Sequence, residues 1–293
     1  MSMLEIMNTI SKRTGLFMAF SLCFLAVFYD PLKGLFLIAT SSELYSHLIF
    51  IPILSVYFIY ADRNTIFAAT SFSLPGIILI FISLLLLIAG INWKGMLGQN
   101  DYLSLTILAA VIWWIGVFIL IYGFRAYRSA SFPLFFLFFA IPPPQIILNN
   151  GILLLQAASA GITHLIFKII GIPVYRQGFK FNLPGVNLEI AEQCGGIRST
   201  TVLIVLSVLF GYVFLKTWWE KTILMLSVFP ITVIKNGLRI VSLYLLAVHI
   251  DKSILDSIAH RRGGYPFFLL ALAEMGMVIW VLKKFEKKRL HSQ

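Results

Sequence analysis

The sequence predicts an all-α polytopic membrane protein with about eight transmembrane helices. Of its 293 residues, 59% are hydrophobic and only 12% are charged, and the mean hydropathy is +0.92. A soluble domain carries roughly 25% charged residues, and a chain this short has too little interior to hide so many apolar side chains. The composition therefore excludes an ordinary soluble enzyme, and its high hydrophobicity excludes an intrinsically disordered chain.

Apolar stretches approach the length of roughly 20 residues that a transmembrane helix needs. They lie near 15–30, 43–61, 74–92, 103–124, 130–147, 195–215, 222–248 and 264–282. The first stretch follows Lys12 and Arg13 and shows no small-residue cleavage site. We therefore expect it to be an uncleaved anchor rather than a signal peptide.

The basic residues indicate the orientation of the chain. Lys and Arg number 23 against 12 Asp and Glu, a net charge of +11. In a membrane protein such an excess is expected, because cytoplasmic loops are rich in Lys and Arg and because basic residues contact anionic lipids. No pattern in the sequence favours binding to nucleic acid. Basic residues flank the first span and fill 283–289. We expect both termini in the cytoplasm of a cell with an inner membrane, and hence an even number of crossings.

The segment 148–171 is apolar enough to span, but we predict that it does not cross. Asn149, Gln156 and Thr163 recur every seven residues, which indicates a polar stripe on a helix. A crossing here would also place the basic turn near 216–221 outside. We expect an amphipathic helix, either at the outer interface or packed inside the bundle.

Residues 173–193 are a polar stretch between two spans. Apolar and polar residues alternate around Gly178 and around Pro184-Gly185. This pattern predicts an extracytoplasmic β-hairpin, with Val174–Phe181 paired to Val186–Ile190.

The hairpin leads to Cys194, at the outer start of the sixth span. A helix N-terminus favours a thiolate, and Gly195 and Gly196 leave backbone N–H groups open to a substrate carbonyl, as in an oxyanion hole. Arg198 is four residues on, on the same helix face. The alternative is a small apolar cysteine packed at a helix start.

Charged residues inside spans are costly and suggest a function. The seventh span carries Lys235, Asn236 and Arg239, and the eighth carries Glu274. We expect Arg239 to reach the level of Cys194. We also hypothesise that Lys235 pairs with Glu274 and holds the two spans in register.

His260 precedes the eighth span in an outer loop and could exchange protons near neutral pH. An isolated loop histidine is more often a solvated residue. The histidines show no metal-ligand spacing, so we expect neither a metal site nor a cofactor.

The order of Cys, Arg and His closely resembles that of the exosortase/archaeosortase family of membrane cysteine transpeptidases, from about Phe132 to Gly276 and more loosely before it. The matching pieces are Ile141-Pro142-Pro143-Pro144, Gly171-Ile172-Pro173-Val174 with Gly178, the run Leu188 to Ser199, Asn236-Gly237-Leu238-Arg239-Ile240 and His260. Two positions differ from common family patterns. Gly195 stands where Ser is usual, and His260 stands where some members have Arg.

The resemblance implies a catalytic set of Cys194, Arg239 and His260. Cys194 would form a thioester, Arg239 would stabilise the thiolate or the oxyanion, and His260 would transfer protons. It also implies membrane-anchored substrates with a C-terminal sorting tail, made of a short motif (Pro-Glu-Pro-like in the commonest system), a transmembrane helix and a basic cluster. The acceptor could be a lipid or a glycan. We assign substrate binding to Arg198, Glu192, Asn236, Arg176 and Arg261.

We treat 1–293 as one membrane domain, with N-terminal helices (1–128), an exosortase-like core (129–282) and a basic tail (283–293). The active site would face the extracytoplasmic side. One alternative is an intramembrane cysteine protease that only hydrolyses the tail. The others, from different classes, are a transporter that uses Lys235, Arg239 and Glu274, and a non-catalytic scaffold.

Overall fold

The computed structural model describes residues 3–190, 196–250 and 264–291. Six of the described helices are long and apolar enough to cross a membrane, and a seventh span results if Gly15–Val27 and Tyr29–Ser41, bent by 71°, count as one. This confirms the predicted all-α membrane fold, with a count close to eight. The predicted spans 43–61 and 130–147 correspond to the shorter apolar segments Ser46–Ala61 and Ser131–Ala140.

The chain divides into two compact units, Met1–Gln145 and Ile146–Gln293. The first unit contains α1 (Met3–Val27), α2 (Tyr29–Ser41), α3 (Phe50–Ala61), α4 (Arg63–Ile66), α5 (Pro75–Asn92), α6 (Gln99–Ser129) and α7 (Ser131–Phe136). Short 3-10 turns, Ser46–Ile49 and Leu137–Ala140, precede α3 and follow α7. The predicted division of the chain at 128/129 stays a prediction.

Helix α6 is the core of the first unit, and α5 packs closely against it. A Cβ atom added at Gly76 of α5 would lie 2.5 Å from the carbonyl oxygen of Gly116 in α6. Only glycine permits this separation between two helix backbones. The hydroxyl of Ser83 also donates a 2.7 Å hydrogen bond to the carbonyl of Ala109.

The second unit contains α8 (Gln145–Ile169), which begins at the unit boundary, three strands, and α9 (Ile197–Phe214), α10 (Trp218–His249) and α11 (Gly264–His291). Helix α8 covers the segment that we predicted not to cross. At 25 residues it is as long and apolar as a span, which argues against an interfacial position. Of the predicted polar stripe, Gln156 and Thr163 are buried and Asn149 is exposed, and Ser159 is buried next to the two buried members. These buried side chains favour packing against protein, and the prediction that the helix does not cross the membrane stays a prediction.

The polar stretch forms a three-stranded antiparallel sheet rather than a single hairpin. Its strands are β1 (Tyr175–Gln177), β2 (Lys180–Leu183) and β3 (Val186–Glu189), in that order. The predicted strand Val174–Phe181 is wrong because the chain reverses at Gly178, whose φ is +62°. The second reversal, at Gly185 with φ +79°, is where we expected it.

The sheet packs on helices of its own unit. Phe181 of β2 is fully buried with Phe167 of α8 and Tyr244 of α10 in one apolar cluster. The Tyr244 hydroxyl also donates a 3.3 Å hydrogen bond to the carbonyl of Pro184, in the second turn. These contacts fix the sheet, and with it the place from which the chain enters the Cys194 segment.

Candidate active site

The end of β3 is tied to α8 just before the Cys194 segment. The Gln156 side chain, 7% exposed, donates a 2.5 Å hydrogen bond from Nε2 to the carbonyl of Ile190. The backbone N–H of Ile190 donates to the carbonyl of Phe179 at 3.0 Å. A buried amide that bonds a strand end fixes the direction in which the chain leaves the sheet. Ile190 is four residues before Cys194 in the sequence.

Helix α9 begins against α10. Gly196 is its N-cap residue, in the left-handed conformation with φ +81°. A Cβ atom added there would lie 3.5 Å from Thr232 Cγ2 and 3.7 Å from Asn236 Cγ. The hydroxyls of Ser199 and Thr200 donate to the carbonyl of Gly196 at 2.9 and 2.8 Å. The start of α9 is therefore set two residues after Cys194.

Lys235 of α10 is buried and bonds the first turn of α9. It is 4% exposed, and its Nζ donates a 2.5 Å hydrogen bond to Ser199 Oγ. The hypothesis of a direct pair with Glu274 is wrong for these described side chains, because the ammonium is bonded to α9 rather than to α11. Glu274 still interacts with Lys235 electrostatically, and it lines an apolar groove of about 430 Å³ between α10 and α11.

The next two residues of α10, Asn236 and Gly237, contact α8. Asn236 is fully buried, and its Nδ2 donates a 2.9 Å hydrogen bond to Ser159 Oγ. A Cβ atom added at Gly237 would overlap Ile162 Cγ2. Consecutive residues of α10 thus hold α9 on one side and α8 on the other.

The predicted arginines occupy different surroundings. Arg239 is half-buried, and it shares a face of α10 with Thr232 and Lys235, since the three residues are spaced i, i+3 and i+7. Arg198 is exposed in the first turn of α9. Arg176 is partly used within the sheet, because its Nε donates a 2.8 Å hydrogen bond to the carbonyl of Gly178.

Four of the predicted site residues, Cys194, Glu192, His260 and Arg261, lie outside the described residues. Their proximity to Arg239 stays a prediction. Of the predicted residues that are described, Asn236 lies against the N-cap of α9, and Arg239 lies on the helix that carries this contact.

The sequence reasoning missed Ser199 and Ser159, the acceptors for Lys235 and Asn236. A signal for Ser159 was present, since it lies three residues after Gln156 and three or four residues separate neighbours on one helix face. Nothing in the sequence indicated that Ser199 would bond Lys235, because that contact depends on how α9 and α10 pack.

A comparison of the chain against family models shows its family. Residues 37–277, most of the chain, match the family described as transmembrane exosortase (Exosortase_EpsH). This chain belongs to the transmembrane exosortase family. The match confirms the resemblance. It also extends into the first unit, where the sequence resembled the family only loosely. No curated protein and no solved structure matches the chain.

Proposed function

We propose that this exosortase is a cysteine transpeptidase that cleaves C-terminal sorting tails and passes the protein to an envelope acceptor. The observation that carries the proposal is the packing of the Gly196 N-cap against Thr232 and Asn236 of α10. It sets the helix that follows Cys194 on the part of α10 that bears Arg239. A helix start next to a helix face that carries Lys235 and Arg239 is the kind of surroundings that favours a thiolate nucleophile.

The first half of the reaction forms a thioester. The Cys194 thiolate attacks the scissile carbonyl, and Arg239 and backbone N–H groups near Gly196 stabilise the oxyanion that develops. When the intermediate collapses, the C–N bond breaks. His260 gives a proton to the leaving amine of the tail.

The second half transfers the acyl group. His260, now neutral, takes a proton from the acceptor amine or hydroxyl as that group attacks the thioester. The C–S bond breaks and the thiolate is restored. Water in place of the acceptor would give the hydrolytic alternative with the same residues.

The substrate of this proposal is a membrane protein with a short motif, a transmembrane helix and a basic cluster. Arg198 is exposed at the start of α9 and is our candidate for the charged group of the motif, with Glu192, Arg176, Arg261 and Asn236 as further binding residues. We place the site on the extracytoplasmic side of the inner membrane, where the sheet would meet the motif.

The transporter alternative receives less support. Lys235, which it would use with Arg239 and Glu274, is hydrogen-bonded to Ser199 of α9. This bond joins two helices, which is the commoner role of buried polar groups in a bundle.

The test uses the two cysteines of the chain as a matched pair. A reporter with a Pro-Glu-Pro-like motif, a transmembrane helix and a basic cluster is co-expressed with the wild type, with Cys194→Ala or with Cys23→Ala. Cys23 is an exposed cysteine of α1. We expect processing in the wild type and in Cys23→Ala and none in Cys194→Ala. A product heavier than the cleaved chain favours transfer over hydrolysis, and full processing by Cys194→Ala contradicts the proposal.

A further inference from the structure

We propose that a cavity in the first unit binds the head group of an anionic glycerophospholipid from the surrounding membrane. The cavity lies between α2, the turn from α5 to α6 and the start of α6, and its volume is about 490 Å³. Its charged lining residues are Asp30, Lys33 and Lys94, and its wall also includes Gln99 and Tyr102. None of these residues belongs to the proposed catalytic or substrate-binding set, so the inference does not depend on the proposed function.

The cavity lies where apolar helices end. Lys94 follows the apolar helix α5, and Asp30 and Lys33 lie in the first two turns of α2, after the bend from α1. Tyr29 and Trp93, which precede Asp30 and Lys94, are both exposed. Tyr and Trp collect at the boundary between hydrocarbon and head groups, and lysines at the ends of spans reach the same level. The phosphates of membrane lipids are therefore the anions that surround this cavity.

The charges of the lining do not balance. Within the described part of the chain, the structure gives no salt bridge to Lys33 or Lys94. The Lys94 Nζ lies 5.3 Å from the ring centroid of Tyr102, and Asp30 interacts electrostatically with the same tyrosine. Asp101 of α6 is not part of the lining, and it accepts a 2.7 Å hydrogen bond from the backbone N–H at the start of α8. The cavity thus carries two cations and one anion, a net charge of +1.

A net charge of +1 suits a head group with a net charge of −1. The phosphodiester would accept hydrogen bonds from the ammonium groups of Lys33 and Lys94. A glycerol head group would donate its hydroxyls to the carboxylate of Asp30 and bond the Gln99 side chain. A zwitterionic head group would leave one cation of the cavity without an opposite charge. Basic residues at a membrane surface attract anionic lipids for the same reason.

The rest of the lining offers an apolar path for the acyl chains. Leu37 and Leu97 line the cavity, and Leu37 and its neighbour Phe36 are exposed on α2. Gly34 allows α2 to approach α6, because a Cβ atom added there would lie 2.9 Å from Leu103 Cδ2. A lipid whose phosphate is held by the two lysines can lay its chains along this apolar surface. It would then bridge α2 and the turn between α5 and α6.

The experiment titrates the purified full-length protein in detergent with three lipids that have the same acyl chains. The lipids are phosphatidylglycerol, phosphatidylethanolamine and phosphatidylcholine, and native mass spectrometry measures the bound lipid. The variant is Lys33→Gln/Lys94→Gln. Its matched control, Lys168→Gln/Lys216→Gln, removes two exposed lysines outside the cavity and changes the net charge equally. Asp30→Asn tests the head group, because Asn keeps an oxygen acceptor but loses the charge that would hold an ammonium.

We expect the wild type to bind one phosphatidylglycerol more tightly than either zwitterionic lipid. Lys33→Gln/Lys94→Gln should weaken this binding about 30-fold, since each lysine near a lipid surface contributes about a factor of five. The control should match the wild type, and Asp30→Asn should bind phosphatidylglycerol at least as tightly. Phosphatidylglycerol should also raise the thermal unfolding midpoint of the wild type but not that of the cavity variant.

Equal losses in the cavity variant and in the control would show that the lysines act only through net charge, and would overturn the inference. A preference for phosphatidylethanolamine that Asp30→Asn removes would overturn it too, since the occupant would then be zwitterionic. If the double variant fails to fold, the single variants decide. Lys33→Gln and Lys94→Gln should each weaken binding about fivefold, and wild-type binding by both would overturn the inference.

Discussion

Asn236 and Ser159 join α10 to α8 by a 2.9 Å hydrogen bond between two fully buried side chains. The bond lies one residue after Lys235, which bonds α9. One turn of α10 therefore determines the spacing of three helices around the start of α9.

Ser159→Ala should destabilise the protein by about 0.5–2 kcal/mol, because Asn236 Nδ2 would lose its buried acceptor. The measurement is the thermal unfolding midpoint in detergent. Thr40→Ala is the control, since the Thr40 hydroxyl is exposed and bonds only carbonyls of its own helix. An equal loss in both variants would contradict the account.

Gly237→Ala should lower the unfolding midpoint and the rate of tail processing together. The new Cβ would overlap Ile162 Cγ2 and separate α10 from α8. Gly161→Ala in α8 meets no atom within 4 Å and should be neutral or slightly stabilising. Adding Ile162→Ala to Gly237→Ala should restore part of the processing rate; a double variant that is worse than the single one argues against the steric cause.

Gln156→Leu should slow tail processing while leaving the helices folded. It removes the donor to the Ile190 carbonyl at the end of β3, and it leaves a buried acceptor unpaired, which costs about 1–3 kcal/mol locally. Circular dichroism checks the helices, and a reporter cleavage assay checks activity. Normal cleavage would mean that the exit of the chain from the sheet does not position the Cys194 segment.

The membrane class, the buried face of α8 and the turn at Gly185 could be predicted from the sequence, and these three predictions share a physical basis. Hydropathy gave the membrane class, and the polar stripe through Gln156 and Thr163 gave a face of α8 that is buried. Both are local patterns whose meaning does not depend on distant residues. Glycine turn chemistry located the reversal at Gly185.

The errors came from features that only packing decides. The sequence could not distinguish Ser199 from Glu274 as the partner of Lys235, because both are polar groups on neighbouring helices and the choice depends on helix rotation. The reversal at Gly178 was read as part of a strand, since a glycine within an alternating pattern fits either a turn or a bulge. Of the candidate site, Cys194, Arg239 and His260 could be singled out by their chemistry and position, but their roles as one catalytic set came from the family resemblance.

Arg239→Ala should reduce tail processing by about 100-fold or more, the usual cost of removing one stabiliser of an oxyanion. Arg239→Lys keeps the charge but changes the donor geometry, so it should recover activity only in part. Arg63→Ala removes an exposed arginine that stacks on Tyr60 and should leave the rate unchanged. Wild-type processing by Arg239→Ala would exclude Arg239 from the reaction.

The most direct test of the central claim is to trap the thioester on Cys194. Membranes that contain the protein and a reporter with a sorting tail are treated with hydroxylamine, which cleaves thioesters, for the wild type, Cys194→Ala and Cys23→Ala. We predict a hydroxylamine-released reporter fragment in the wild type and in Cys23→Ala, and none in Cys194→Ala. Release of the same fragment from Cys194→Ala membranes would contradict covalent catalysis by Cys194.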